Sequence, residues 1–403
     1  MEEPSRQTGR TREIALVFLR LGATSFGGPA AHLGYFHAEF VRRRGWLGER
    51  EFADLLALCQ FLPGPASSQA AYAIGARRAG TLGGLLATAC FLLPSAALMI
   101  GFGYGVAALG DVAHAGWLRG LKIAAVAAVA QAVWSMSRAL CPDAFRAGLA
   151  LAAAVAALLA PAAWTQVAII AAGAAVGWGA LRTHDTNQGA APPPATGGRR
   201  AGVAALLTFV ALLVALPLLA RATGERHIEI ADAFYRSGSL VFGGGHVVLP
   251  LLRAETVPRG WISDEAFLAG YGVAQAVPGP LFSFAGYLGV AISGGAGSAW
   301  TAGVLALVAI YLPAWLLIGG AMPFWDRLRA SAWASGALRG ANATVVGVLL
   351  AALITPIGAE SIRSTGDAAL ALASLAGLTL GPAPPALVVL ACAAAGQWLL
   401  GPR

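Results

Sequence analysis

The sequence predicts an all-α polytopic membrane protein built from two homologous halves, arranged as inverted-topology repeats with helices broken by glycine and proline. Three observations support this fold class. Of the 403 residues, 58% are hydrophobic and 11% charged, whereas soluble domains carry about 25% charged residues. Two helix-breaking motifs each occur twice, and an odd number of apolar segments separates the copies. Lipid must therefore be the main solvent of the surface, and membrane lipid is an expected partner.

The duplicated motifs define the two halves. They are Phe26-Gly27-Gly28, repeated as Phe242-Gly243-Gly244, and Pro63-Gly64-Pro65, repeated as Pro278-Gly279-Pro280. The offset is 242 − 26 = 216 residues at the first motif and 278 − 63 = 215 at the second. Paired breaks in corresponding hydrophobic segments indicate a transporter substrate site near the middle of the membrane.

A polar, proline-rich stretch divides the chain. We therefore assign a first repeat to residues 13–181, a linker to 182–200 and a second repeat to 201–400. The apolar segments that begin repeat one and lead to repeat two are 13–34, 52–76, 80–109, 115–138, 145–160, 163–181 and 201–220. If all seven cross a membrane of about 30 Å, the second half is inverted relative to the first.

The positive-inside rule tests this arrangement. With every segment crossing, the basic loops at 77–78, 138–146, 182–200, 253–259 and 327–329 fall on the side of the N-terminus, which we expect to be cytoplasmic. Arg42-Arg43-Arg44 falls on the opposite side. Two explanations stay open: the rule is overridden locally, or segment 13–34 enters the membrane and returns.

The same arginine distribution argues against nucleic acid as a partner. The chain has a net charge of +8, but its arginines lie between the hydrophobic segments and form no basic stripe with interleaved aromatic residues.

The breaks and their polar neighbours are candidates for binding an anion. A broken helix exposes a half-helix N-terminus, which carries about half a positive charge and free N–H groups. Nearby glutamine, serine and arginine side chains add donors. The candidates are Arg20, Gly27, Gly28, Gln60, Pro63, Gly64, Pro65, Ser67 and Ser68 in the first half, and Arg236, Gly243, Gly244, His246, Gln275, Pro278, Gly279, Pro280 and Ser283 in the second. The alternative is that the breaks are plain kinks and the arginines extend towards the interface.

A second set of residues also occupies charged or matched positions within or near the apolar segments. It comprises Arg119, Lys122, Arg339, Asn342, Glu39 and Glu255. The two glutamates either carry a proton for coupling or pair with Arg42 or Arg253 near a loop. Histidine as a residue type titrates near neutral pH, which makes His246 a candidate, and its counterpart by offset is Ala30, so any histidine role belongs to one half only.

The sequence predicts no cofactor and no metal. Its four cysteines lack metal-ligand spacing, and it contains no GxxxxGK[ST] loop for ATP. A membrane-embedded enzyme acting on a lipid phosphate is the alternative from another functional class, but few carboxylates lie inside the segments that would supply its acid and base.

Longer runs around the motifs resemble the chromate ion transporter family. They are Ser25–Pro29, His32–Phe36 and Cys59–Pro65 in the first half, and Ser239–Pro250, Gly270–Pro280, Pro323–Trp325 and Leu338–Gly340 in the second. The resemblance implies a long-chain, two-domain member that exports chromate across the bacterial cytoplasmic (inner) membrane, driven by the membrane potential or a proton gradient, and so confers chromate resistance. The residues themselves support a small dianion, and sulfate exchange or a passive channel are the alternatives. The expected partners are this oxyanion, chromate or sulfate, membrane lipid and a second copy in a homodimer.

Overall fold

The computed structural model describes residues 4–26, 28–109, 116–160, 163–181, 198–242, 245–293, 299–325, 331–380 and 384–399, and all regular secondary structure in these ranges is helical. The helices of the first half are α1 (Pro4–Thr24), α2 (Gly28–Phe36, continued as a π-helix over His37–Arg43), α3 (Glu49–Phe61), α4 (Ala66–Leu109), α5 (Gly116–Leu140), α6 (Ala144–Leu159) and α7 (Ala163–Ala180).

A connecting helix, α8 (Arg199–Thr223), leads to the second half. Its helices are α9 (Arg226–Ser239), α10 (Val248–Thr256), α11 (Asp264–Ala276), α12 (Phe284–Ile292), α13 (Ala299–Ala321), α14 (Ala332–Ala352), α15 (Thr365–Leu380) and α16 (Pro385–Leu399). Single 3-10 turns, Gly245–Val247 and Leu281–Ser283, precede α10 and α12. Five described segments are long and apolar enough to cross a membrane: Ala66–Val106, Gly116–Leu140, Arg199–Thr223, Ala299–Phe324 and Trp333–Ser361.

Segment 13–34 is a hairpin rather than a crossing. Helix α1 ends at Thr24, and α2 begins at Gly28, whose φ of +75° suits a residue without a Cβ. The π-helix then runs back along α1, because Glu39 pairs with Arg20 and Arg44 pairs with Glu13. Arg42-Arg43-Arg44 therefore lies on the side of the N-terminus, which selects the second of the two explanations.

Segment 52–76 is also a hairpin, and its prediction as a single span is wrong. Gly48 N donates to the Glu51 carboxylate at 2.9 Å and starts α3, which ends before the Pro-Gly-Pro motif. The first arm of α4, residues 66–78, then returns, since Arg77 pairs with Glu51 at 2.8 Å. Residues 13, 44, 51, 77 and 78 form the N-side charge cluster.

Helix α4 breaks again at Gly80, where φ is +66°, and its second arm runs away from this cluster. Gly75 and Gly83 pack backbone to backbone across the break. Near the other end of the arm, Gly103 contacts Val290 of α12. The 22 helical steps from residue 81 to residue 103 cover about 33 Å at 1.5 Å per step, close to the ~30 Å thickness of a hydrocarbon core.

The second half repeats both hairpins at that far end. Arg236 pairs with Glu255 at 2.7 Å, which makes α9 and α10 antiparallel. The Tyr287 hydroxyl donates to Ala266 O at 2.8 Å, which does the same for α11 and α12. The ion pairs there form the far-side charge cluster, made of Arg253, Asp264, Glu265, Glu360 and Arg363.

The two halves are therefore inverted, although the crossing scheme that predicted this was wrong in detail. Two of the seven apolar segments do not cross, so the parity of the crossings is unchanged. The α9–α10 hairpin of the second half keeps the loop at 253–259 away from the N-terminal side, where it was predicted, because Arg253 belongs to the far-side cluster.

The last two helices of each half pack against the other half. Helix α14 lies mainly against α6 and α7, and α5 lies against α15 and α16. Glycines make these contacts close: a Cβ on Gly340 would lie 1.9 Å from Gly173 O, and one on Gly120 would lie 2.0 Å from Cys392 O. Small residues allow such backbone approach between helices in lipid, so these contacts hold the two halves together.

Candidate functional site

The helix breaks of the two halves meet in the interior through reciprocal backbone hydrogen bonds. Gly64 N donates to Val241 O at 2.7 Å, and Gly279 N donates to Ser25 O at 2.8 Å. These residues are equivalent pairs, since Gly279 is the repeat of Gly64 and Val241 the repeat of Ser25. Each Pro-Gly-Pro break thus contacts the Phe-Gly-Gly region of the opposite half.

Backbone geometry explains why these positions are glycine. Gly64 has φ +125° and Gly279 has φ +98°, a region that L-residues rarely adopt. The flanking Leu62 and Val277 are extended, which ends α3 and α11 there. The peptide oxygens released by the breaks find local donors: Gln69 Nε2 donates to Pro63 O at 2.8 Å, and the Ser283 hydroxyl donates to Pro280 O at 2.8 Å.

A small cavity lies beside these breaks. Its volume is about 70 Å³, far below the ~300–1,000 Å³ of pockets for drug-sized organic ligands. The described residues that line it are Gly28, Ala128, Gln131, His246, Ala274, Gln275, Val277, Gly279, Leu281, Leu378, Pro385 and Val389. The site therefore suits a small ion.

Three half-helix N-termini border this cavity. Gly28 begins α2, His246 lies in the turn that begins α10, and Leu281 begins the turn before α12. Each end offers free N–H groups and a partial positive charge. Two of the three belong to the second half and one to the first, so the site lies between the halves.

Two glutamines and one histidine supply the polar side chains of the lining. Gln275 Nε2 is buried and has no acceptor at full hydrogen-bond geometry in the described structure, although the amide interacts with the Tyr271 hydroxyl. Gln131 Nε2 donates to Leu378 O at 3.0 Å. His246 Nδ1 lies 2.7 Å from the Tyr271 hydroxyl. An unsatisfied buried donor costs about 1–3 kcal/mol, and an anion accepting from Gln275 would remove that cost.

The arginines predicted near the breaks are held by carboxylates. Arg20 pairs with Glu39 at 2.7 Å. Arg236 binds Asp232 through two hydrogen bonds of 2.8 Å and Glu255 through bonds of 2.7 and 3.1 Å. The glutamates thus pair with these two arginines, and with Arg43, Arg44 and Arg259, rather than with Arg42 or Arg253. Both arginines lie outside the described lining.

The other candidates are dispersed. Gln60 is exposed, whereas Pro65, Ser67 and Ser68 are buried beside the first Pro-Gly-Pro break. Arg119 pairs with Asp367 at 2.7 Å, linking α5 to α15. Lys122 and Asn342 are buried, and Arg339 lies in α14. None of these residues belongs to the described lining. Gly27, Gly243 and Gly244 lie outside the described residues.

Sequence reasoning missed three side chains that matter here: Gln131, Tyr271 and Asp232. Gln131 was detectable, because it is a polar residue in the middle of an apolar segment. Asp232 precedes Arg236 by one helical turn, the spacing at which ion pairs form on a helix. Nothing in the repeat indicated Tyr271, whose counterpart is Leu56.

The sequence model of the chromate transporter family matches residues 12–178 and again residues 228–397. The chain belongs to the chromate transporter family. The two matched regions correspond to the two inverted halves, and the connecting helix α8 lies between them. Family membership supports chromate as the transported oxyanion in a multi-pass membrane protein.

Curated relatives have similar lengths. The chain is 29% identical over 326 residues to a chromate transport protein of Pseudomonas aeruginosa, covering 78% of this chain and 72% of the relative. It is 27% identical to a chromate transport protein of Cupriavidus metallidurans, covering 91% and 87%. It is 26% identical to a probable chromate transport protein of Synechococcus elongatus, covering 96% and 95%. No solved structure matches the chain.

Proposed function

We propose that this protein is a secondary active transporter that exports chromate across the bacterial cytoplasmic membrane by alternating access and so confers resistance. The observation that carries the proposal is the convergence of three half-helix N-termini and a buried Gln275 amide on one small cavity. Such ends bind tetrahedral oxyanions through backbone N–H groups. The assigned repeats, 13–181 and 201–400, act as the two moving halves in this proposal, and α8 begins the second of them.

The oxyanion binds between the Gly28 region, the His246 turn and the Pro278-Gly279-Pro280 break. Gln275 and Gln131 supply further donors. This assignment favours transport over catalysis, because His246 is the one described lining residue with an ionisable side chain, so a paired acid and base are lacking there. The Arg20–Glu39 and Arg236–Glu255 pairs hold the re-entrant hairpins closed on each side.

The test is flux into proteoliposomes. Purified protein is reconstituted with imposed potential and pH gradients, and labelled chromate and sulfate are supplied in separate arms. We expect chromate accumulation against its gradient. Faster sulfate accumulation would reassign the substrate, and equilibration without accumulation would indicate a channel.

A residue-level arm compares Gln275→Ala with Gln166→Ala. Gln166 is a half-buried glutamine of α7. Like Gln275, it has one side-chain amide atom without a partner, in this case the oxygen, but it lies outside the described lining. Loss of a hydrogen bond to a charged group costs about 1.5–3 kcal/mol, so Gln275→Ala should weaken chromate binding about 10- to 150-fold. Equal effects of the two substitutions would remove the cavity from the transport path.

A further inference from the structure

The internal repeat does not explain one side-chain pair at the cavity, in which a residue of the described lining contacts a buried residue behind it. His246 and Tyr271 both belong to the second half, and their counterparts in the first half are Ala30 and Leu56. The other features of the breaks are duplicated, including the glycines, the prolines and the reciprocal hydrogen bonds. The pair therefore gives the second half a chemical group at the site that the sequence of the first half lacks.

The geometry of the pair is fixed by packing. Tyr271 is fully buried, its ring lies 5.9 Å from that of Phe284 in an edge-to-face arrangement, and its hydroxyl lies 2.7 Å from His246 Nδ1. In a neutral imidazole one ring nitrogen donates and the other accepts. If the hydroxyl donates to Nδ1, the imidazole proton must reside on Nε2, the nitrogen left free to reach a bound anion.

We propose that Tyr271 is a positioning residue that fixes the tautomer of His246, so that Nε2–H donates to the oxyanion in the cavity. This proposal rests on the proposed function. It adds a hydrogen-bond donor, His246 Nε2–H, that the second half has and the first half lacks. The opposite tautomer would turn a lone pair towards the anion and repel it. The pair thus favours a fully deprotonated oxyanion, which accepts this hydrogen bond without competing for the proton.

The surrounding charges do not replace this donor. Along α10, Arg253 and Glu255 are engaged in ion pairs with Asp264 and Arg236 at the far side. From α5 the cavity receives the neutral Gln131. The described lining otherwise carries no titratable side chain.

The first experiment measures chromate binding by calorimetry to the purified full-length protein at about pH 8, well above the ordinary histidine pKa of about 6.5, so that the imidazole is neutral in every variant. The variants are Tyr271→Phe, His246→Ala and His246→Gln. Tyr287→Phe is the matched control, because it also removes one buried hydroxyl, but that hydroxyl donates to Ala266 O, which is not part of the described lining. Protonation of chromate itself affects all variants alike. The ratio of each variant's dissociation constant to that of the wild type therefore reports the contribution of the substituted side chain.

We expect Tyr271→Phe to weaken binding about tenfold, because the neutral imidazole then also populates the tautomer that turns a lone pair towards the anion. His246→Ala should lose binding, and His246→Gln should restore part of it through its amide donor. A Tyr271→Phe variant that binds chromate as tightly as Tyr287→Phe overturns the proposal.

A second readout needs no ligand. Nitrogen NMR of labelled histidine, with the His246 signal assigned by its loss in His246→Gln, should show the Nε2–H tautomer in wild type and a mixture in Tyr271→Phe. A wild-type Nδ1–H tautomer overturns the inference even if chromate binds. Wild-type protein that has the Nε2–H tautomer but binds no chromate instead overturns the proposed function.

Discussion

The two Pro-Gly-Pro glycines should be equally intolerant of a side chain, because they make equivalent contacts in the two halves. Gly64→Ala and Gly279→Ala each place a Cβ on a residue whose φ lies at +125° or +98°. Holding a non-glycine residue in such a region costs about 1–3 kcal/mol. Relaxing the strain rotates the amide and weakens the hydrogen bond that joins the halves.

Space around each glycine adds to this cost. A Cβ on Gly279 would lie 3.0 Å from Ser95 Oγ, and one on Gly64 would lie 3.0 Å from Ala314 Cβ. Contacts this close require shifts of a few tenths of an ångström, and Ser95 and Ala314 are equivalent positions. We therefore expect a total loss of about 2–4 kcal/mol at each site, with the two losses similar.

The first assay measures unfolding in detergent, with tryptophan fluorescence as the signal. The second assay measures chromate flux. Gly101→Ala is the control, because Gly101 lies in the exposed surface of α4, where an added Cβ would meet nothing within 4 Å; there alanine should stabilise the helix by about 0.5–1 kcal/mol. If both break variants unfold and transport like Gly101→Ala, the breaks are not held as described and the reasoning fails.

Three further predictions concern charge, topology and the alternate state. Arg236→Gln should destabilise the protein by about 2–3 kcal/mol in detergent unfolding, less than the loss of a fully buried pair, because it leaves Glu255 short of a partner while the guanidinium is 28% exposed. In a cysteine-free background, Gly48→Cys and Ser263→Cys, at the starts of equivalent helices, should react with an impermeant maleimide from opposite sides of the membrane. Gln60→Ala should slow chromate turnover while leaving equilibrium binding in the present conformation within about twofold of wild type, since Gln60 lies outside the described cavity lining.

Each of these predictions has a clear contrary result. Arg236→Gln with wild-type stability would mean that the ion pair contributes little in its environment. Labelling of both cysteines from the same side would contradict the inverted arrangement. A Gln60→Ala variant with unchanged turnover would show that the first-half break never forms an anion site.

Much of the fold followed from the sequence because the duplicated glycine and proline residues act locally. A Pro-Gly-Pro sequence ends a helix locally, whatever the rest of the fold. The repetition of this motif around Gly64 and Gly279 therefore predicted both the breaks and the two halves. Proximity of the breaks was also expected and is confirmed by the Gly64–Val241 and Gly279–Ser25 hydrogen bonds. Inversion was predicted correctly, although the hairpins were not, because a run of apolar residues has the same composition whether it crosses or returns.

The arginine partners were harder to foresee. Arg20 and Glu39 are separated by the same number of residues as Arg236 and Glu255, so the repeat itself contained the signal for both ion pairs. The packing of α5 against α16 could not be foreseen, since it joins residues about 270 positions apart through glycines that fit many partners. The tautomer-setting contact of Tyr271 was invisible because its counterpart is Leu56 and the repeat offers no second example.

The two halves hold the same breaks in different surroundings, and this difference is what an alternating mechanism requires. In this conformation Gln275 lines the cavity, whereas its counterpart Gln60 is exposed. Inverted repeats change access when the halves exchange conformations around a fixed site, so Gln60 and Gly64 would then take the positions that Gln275 and Gly279 hold now. The exchanged cavity would contain Ala30 in place of His246 and would hold the same anion less tightly. A ligand shifts a conformational equilibrium only through its differential affinity for the two states. In the proposed mechanism, a histidine present in only one half would therefore make anion binding favour one orientation of the site and anion release the other.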